Sequence, residues 1–126
     1  MSRLLEQRRA AFSLAFVQGR QGSDDANEIA RQIQRTPVRI LTNGLGQAVA
    51  FLKQKHVDSL VEHLQGWLCG ERDEEHPARI LPDADLMSAL FRASRGEYVA
   101  AEEEALNLFS WLKKFGDAYL EKGEGE

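Results

Sequence analysis

Three histidines, one cysteine and a run of three glutamates are the side chains in this 126-residue chain with the chemistry for catalysis or metal binding. His56 and His63 stand seven residues apart, two helical turns, where the usual helical metal pair is i, i+4. Cys69 falls six positions beyond His63, off its face, and His76 lies in a polar loop. No serine, threonine or cysteine sits in a nucleophile motif. Glu102, Glu103 and Glu104 project in different directions around a helix, the pattern of a solvated face. A nuclease would need carboxylates clustered on a metal or histidines placed for acid–base work, and neither constellation is present. The sequence therefore predicts no catalytic residue, no metal and no cofactor.

The second candidate feature is Asn43-Gly44-Leu45-Gly46. It is not a phosphate loop, because it lacks the G-x-x-x-x-G-K-[ST] pattern and no strand precedes it. Gly44 and Gly46 remove side chains where a helix begins, so the backbone can turn sharply and approach a neighbour closely. Two readings follow. The neighbour is another helix of this chain, or it is an anion or a partner molecule meeting the free N–H groups and positive dipole of the helix start.

The third feature is charge. Residues 1–55 carry nine Arg or Lys against four Asp or Glu, a balance of +5, and residues 56–126 carry seven against sixteen, a balance of −9. A net charge of −4 thus hides a basic half, which suits a polyanion or an acidic face on a neighbouring copy. The candidate phosphate contacts are Arg3, Arg8, Arg9, Arg39, Lys53, Lys55, Arg92, Arg95, Lys113 and Lys114. Trp67 and Trp111 fall within helical apolar patterns and read as core.

These residues have to be positioned by helices. The three prolines, Pro37, Pro77 and Pro82, each sit near a boundary, and no strand-like alternation persists. A first helix spans about Ser2 to Gln18 with Ser2 as N-cap. Its stripe is Leu4, Leu5, Ala11, Phe12, Ala15 and Phe16, with the arginines mostly off it. A second runs from Asp24 or Asp25 to Arg35. Thr36-Pro37 then reads as a fresh cap and first position, opening a short turn to Leu41. The third, from Gly46 to Lys55, buries Leu45, Ala48, Val49 and Leu52. Asp58 caps a fourth that runs to Cys69, with Leu60, Leu64, Trp67 and Leu68 inward and Gly70 as its stop. A fifth spans Asp83 to Ala93 with Leu86, Met87, Leu90 and Phe91 inward. Ser94 and Glu97 have capping-box spacing and open a sixth to Leu120. Its stripe is Tyr98, Ala101, Ala105, Leu108, Leu112, Phe115 and Tyr119. The expectation is one all-α domain over 1–126, a bundle of about six helices without a sheet, with a frayed tail at 121–126. No run approaches the roughly 20 apolar residues of a membrane span. A lone cysteine and a charged start without a signal core fit the cytoplasm.

The order of blocks carries a resemblance. A short helix leads into "TNGLGQAVAFLKQK", then come "HLQGWL" and "SRGEYVAAEEEALNLFSWLKKFG". Together they resemble the small subunit family of the type III-B CRISPR RNA-targeting complex, the Cmr complex, from about Arg8 to Phe115. The resemblance implies a small all-helical protein without catalytic activity. Copies would stack in a minor filament beside the backbone subunits that hold the guide RNA. That filament would line the channel for guide and target RNA and meet the large subunit at one end, while target cleavage would belong to the backbone subunits. It supports Lys53 and Lys113 best, since both lie in its recognisable blocks; the first-helix arginines rest on charge alone. The competing readings are a protein–protein spacer without RNA contact and a small helical nuclease.

Overall fold

Ser94 opens the longest element. Its hydroxyl accepts from Glu97 N at 3.1 Å while the Glu97 carboxylate accepts from Ser94 N at 3.0 Å, the reciprocal cap that the spacing predicts. The computed structural model describes residues 2–120, without the side chains of Ser2 and Arg3. The cap expected at Ser2 and the phosphate role expected of Arg3 rest on side chains outside the described part, and the tail expected at 121–126 lies outside the described residues. Six helices follow in order: α1 (Ser2–Arg20), α2 (Ala26–Asn43), α3 (Leu45–Gln54), α4 (Asp58–Leu68), α5 (Leu86–Arg92) and α6 (Arg95–Tyr119). Among the described residues there is no strand, only one parallel bridge between Cys69 and Leu81.

The predicted stripes of α3 and α4 are the centre of the core. Leu45, Leu52, Leu60, Leu64, Trp67 and Leu68 are fully buried, and Ala101, Leu108, Phe109 and Leu112 of α6 meet them in one cluster. Gly70 stops α4 with φ 107°, a left-handed turn that a side chain resists. The polar segment after it is tied back: Leu81 N donates to Leu68 O and Gly70 N to Leu81 O, each at 2.9 Å. α6 lies along α1 and α2. Gly116 faces Ile33, and Tyr98 faces Gly44 and Gly46, so α6 and α2 run antiparallel.

Several local expectations are overturned. α2 does not break at Thr36-Pro37. Pro37 sits inside a continuous helix, and the Thr36 hydroxyl donates to Gln32 O at 2.6 Å. A proline there costs roughly 3 kcal/mol. Ile29, Ile33, Thr36 and Ile40 carry a buried stripe straight through it, and burying each isoleucine returns about 1.5–3 kcal/mol. Asp58 is the first residue of α4 and not its cap; Val57 holds that position without a side-chain bond. α5 starts later than Asp83, because Asp85 caps it by accepting from Ser88 N at 3.0 Å. Phe91, expected inward, is 79 % exposed: α5 spans two turns, and Leu86, Ala89 and Leu90 fill its buried side.

α1 is rotated relative to its predicted stripe. Leu4, Ala11 and Ala15 are exposed, whereas Ser13 and Val17 are buried and Leu5, Arg9, Phe12 and Phe16 half-buried. Arg9 thus stands in the middle of the packed face. The glutamate run is not a solvated face either. Glu103 is exposed, Glu102 is half-buried, and Glu104 is buried. Trp111 is half-buried at the edge of α6, its indole N–H donating to Glu6 Oε1 at 2.8 Å, and Tyr119 is 44 % exposed.

Candidate nucleic-acid interface

The corner between α2 and α3 turns on Gly44, whose φ of 92° and ψ of 159° end one helix and start the next. A β-carbon here would stand 3.3 Å from Tyr98 Oη and 3.4 Å from Glu102 Oε2; at Gly46 it would stand 3.2 Å from Tyr98 Oη. The close approach is made by α6 of the same chain. Leu45 N donates to Glu102 Oε2 at 2.9 Å and Gly46 N to Tyr98 Oη at 2.8 Å. Glu102 therefore already supplies the negative charge that the helix start attracts, and a phosphate there would meet a carboxylate.

Because α2 is continuous, Arg31, Arg35 and Arg39 fall at i, i+4 and i+8 on one side of it. Arg31 pairs with Glu28 one turn back. Arg39 is half-buried, with its guanidinium carbon 3.7 Å from the centre of the Phe51 ring of α3 and Nη1 donating to Gln32 Oε1 at 2.7 Å. Burial, then repulsion from Arg35, lowers the Arg39 pKa from its ordinary value. Lys55 Nζ stands 5.7 Å from the same ring. On the far side of α2, Gln34 Nε2 donates to Asp117 Oδ1 of α6 at 2.5 Å. Lys113 stands one turn before Asp117 on α6 and is exposed. Val38 and Leu41, 64 % and 73 % exposed, lie on the exposed face of α2.

The predicted cations thus divide. Arg39 and Lys55 meet at the Phe51 ring beside α2, whereas Lys113 is exposed on α6. Lys53 is exposed on α3 and lies close enough to Asp85 to help lower that carboxyl's pKa, behind the Ser88 hydrogen bonds. Arg92 is exposed and bonds Asp83 Oδ2 at 3.2 Å. Arg95 and Lys114 are exposed on α6. Arg8 is half-buried beside a groove of about 270 Å³ shared with Phe12, Trp67 and His76. Arg9 is committed elsewhere. Nε and Nη2 donate to Glu104 Oε2 and Oε1 at 2.7 and 2.8 Å, and the Trp67 indole N–H donates to Glu104 Oε2 at 2.8 Å. This bidentate bond raises the Arg9 pKa. Arg31, Arg35 and Phe51 were missed by sequence reasoning. The signal for the arginines is their four-residue spacing, whose continuation to Arg39 a helix broken at Pro37 hides; no local signal marks Phe51.

No helix is long and apolar enough to cross a membrane among the described residues. Among the same residues no three His, Cys, Asp or Glu side chains converge as a metal would require. What the surface offers is a mixed basic and apolar face built on one helix. The model of the CRISPR-associated protein family (Cas_Cmr5) matches residues 5–119, nearly the whole described fold. The chain belongs to that family, the small subunit of the type III-B Cmr complex.

Proposed function

We propose that this chain is a non-catalytic, RNA-contacting subunit of its complex, holding sugar–phosphate backbone without reading bases through hydrogen bonds. The observation that carries this reading is the face of α2, where Arg31, Arg35 and Arg39 line up and Lys55 joins Arg39 at the Phe51 ring. Cations spaced along a helix suit regularly spaced phosphates and carry no sequence information. Copies stack as a filament beside the backbone subunits that hold the guide RNA, and the large subunit meets one end. The chain works as one domain in the cytoplasm, and target cleavage belongs to another subunit.

A second reading draws on Val38 and Leu41. Apolar side chains this exposed on the same face suit a protein partner, which would make the subunit a spacer. The two readings separate in a salt titration of labelled RNA binding, with the chain alone and with the backbone subunit present. Phosphate contact gives a log–log slope of about −0.7 per contact for single strands. Replacing Lys53, Lys113 or Arg35 by alanine then shrinks the slope by about that amount, with no change in sequence preference. Unchanged affinity and slope in all three variants of the assembled complex leave the spacer reading standing. Metal-dependent cleavage by the purified chain, abolished by a point change in it, would refute the non-catalytic role.

A further inference from the structure

On the basic face, Arg39 is arranged differently from a phosphate clamp. A guanidinium that grips phosphate presents its edge of N–H donors. Here the face of the group lies on the Phe51 ring at 3.7 Å, and one edge is occupied by Gln32 Oε1 at 2.7 Å. Gln32 is itself fixed, its Nε2 donating to Glu28 Oε2 at 2.8 Å. The plane is therefore held from below and from the side, while Arg39 and Phe51 both keep part of their surface open. Arg35 is one helical turn away, and Lys55 approaches the same ring from α3.

We propose that the Arg39–Phe51 pair is a stacking platform for an unpaired base of single-stranded RNA. The base lies on the guanidinium face turned away from Phe51, and Arg35 and Lys55 hold the flanking phosphates. This rests on the RNA-contacting role proposed above and adds a mode of recognition to it. Guanidinium planes stack on nucleobases irrespective of sequence, because every base has a π face. A plane already immobilised and partly desolvated by Phe51 loses little further freedom when a base covers it.

The test is equilibrium binding of the full chain, at low ionic strength, to two labelled strands of equal length. One is single-stranded RNA and the other is the same sugar–phosphate backbone without bases. The base-bearing strand is expected to bind at least about fivefold tighter. Arg39→Lys keeps the charge but loses the plane, so it should keep the affinity for the abasic strand and abolish the preference. Phe51→Leu keeps apolar volume beneath the guanidinium but no ring, and should reduce the preference independently. Equal affinity of the unaltered chain for both strands overturns the platform while leaving the phosphate contacts intact. A preference undiminished by either substitution also overturns it. Failure of both strands to bind overturns the platform and the RNA-contacting role together.

Discussion

Replacing Arg9 by methionine distinguishes a structural cation from a functional one. The side chains of Arg9 and Glu104 keep only 11 % and 9 % of their surface exposed. Methionine fills most of the arginine stem's volume but leaves the Glu104 carboxylate inside without its countercharge. Removing one partner of a buried pair costs about 3–5 kcal/mol. Glu104 keeps the Trp67 indole N–H at 2.8 Å, so a value near the lower end, about 3 kcal/mol, is expected. That is a large share of the roughly 5–15 kcal/mol that holds a domain together. Adding Glu104→Gln to Arg9→Met neutralises the stranded carboxylate while keeping an acceptor for Trp67. The double variant should therefore recover about 1–2 kcal/mol relative to Arg9→Met alone. Urea unfolding followed by tryptophan fluorescence measures both steps. In the RNA titration, Arg9→Met should leave the salt slope unchanged, because the group never reaches solvent phosphate. A loss below about 1 kcal/mol, or a double variant as unstable as the two single changes combined, would refute the buried-pair reasoning.

Two further outcomes follow from the packing. His63 is sandwiched against Phe12 and Phe16 at ring separations of 4.2 and 4.4 Å, and burial pushes its pKa from 6.5 down to about 3. Between those values the unfolded chain binds the proton and the folded one does not, so His63 destabilises the fold as pH drops below about 6.5. The loss should reach about 2 kcal/mol at pH 5, and His63→Leu should remove that component of the urea midpoint's pH dependence. Gly44→Ala forces a side chain into φ 92° and against Tyr98 and Glu102. It should cost about 1–3 kcal/mol in the same assay, and an alanine variant as stable as the parent would contradict the tight α2–α6 corner.

Much of this protein is legible in its sequence because helix periodicity is local. Leu60, Leu64, Trp67 and Leu68 stand where their spacing puts them, and Ser94 with Glu97 forms the cap that its neighbours dictate. Chain composition and the "TNGLGQAVAFLKQK" and "WLKKF" blocks point to an all-helical member of the family that matches residues 5–119. Tertiary contacts settle what local signals leave open. Thr36-Pro37 has the chemistry of a helix start, yet burial of Ile33 and Ile40 on either side outweighs the proline penalty and keeps α2 whole. That continuity alone sets Arg31, Arg35 and Arg39 on one side, which a broken helix conceals. Charge by itself is equally ambiguous. Arg9 and Arg39 look alike in the sequence, but a carboxylate two helical turns before Trp111 draws the first into the core, and an aromatic ring on α3 holds the second at the surface. Which arginine is structural depends on a partner 95 positions away in the chain, and only folding brings that partner within hydrogen-bond distance.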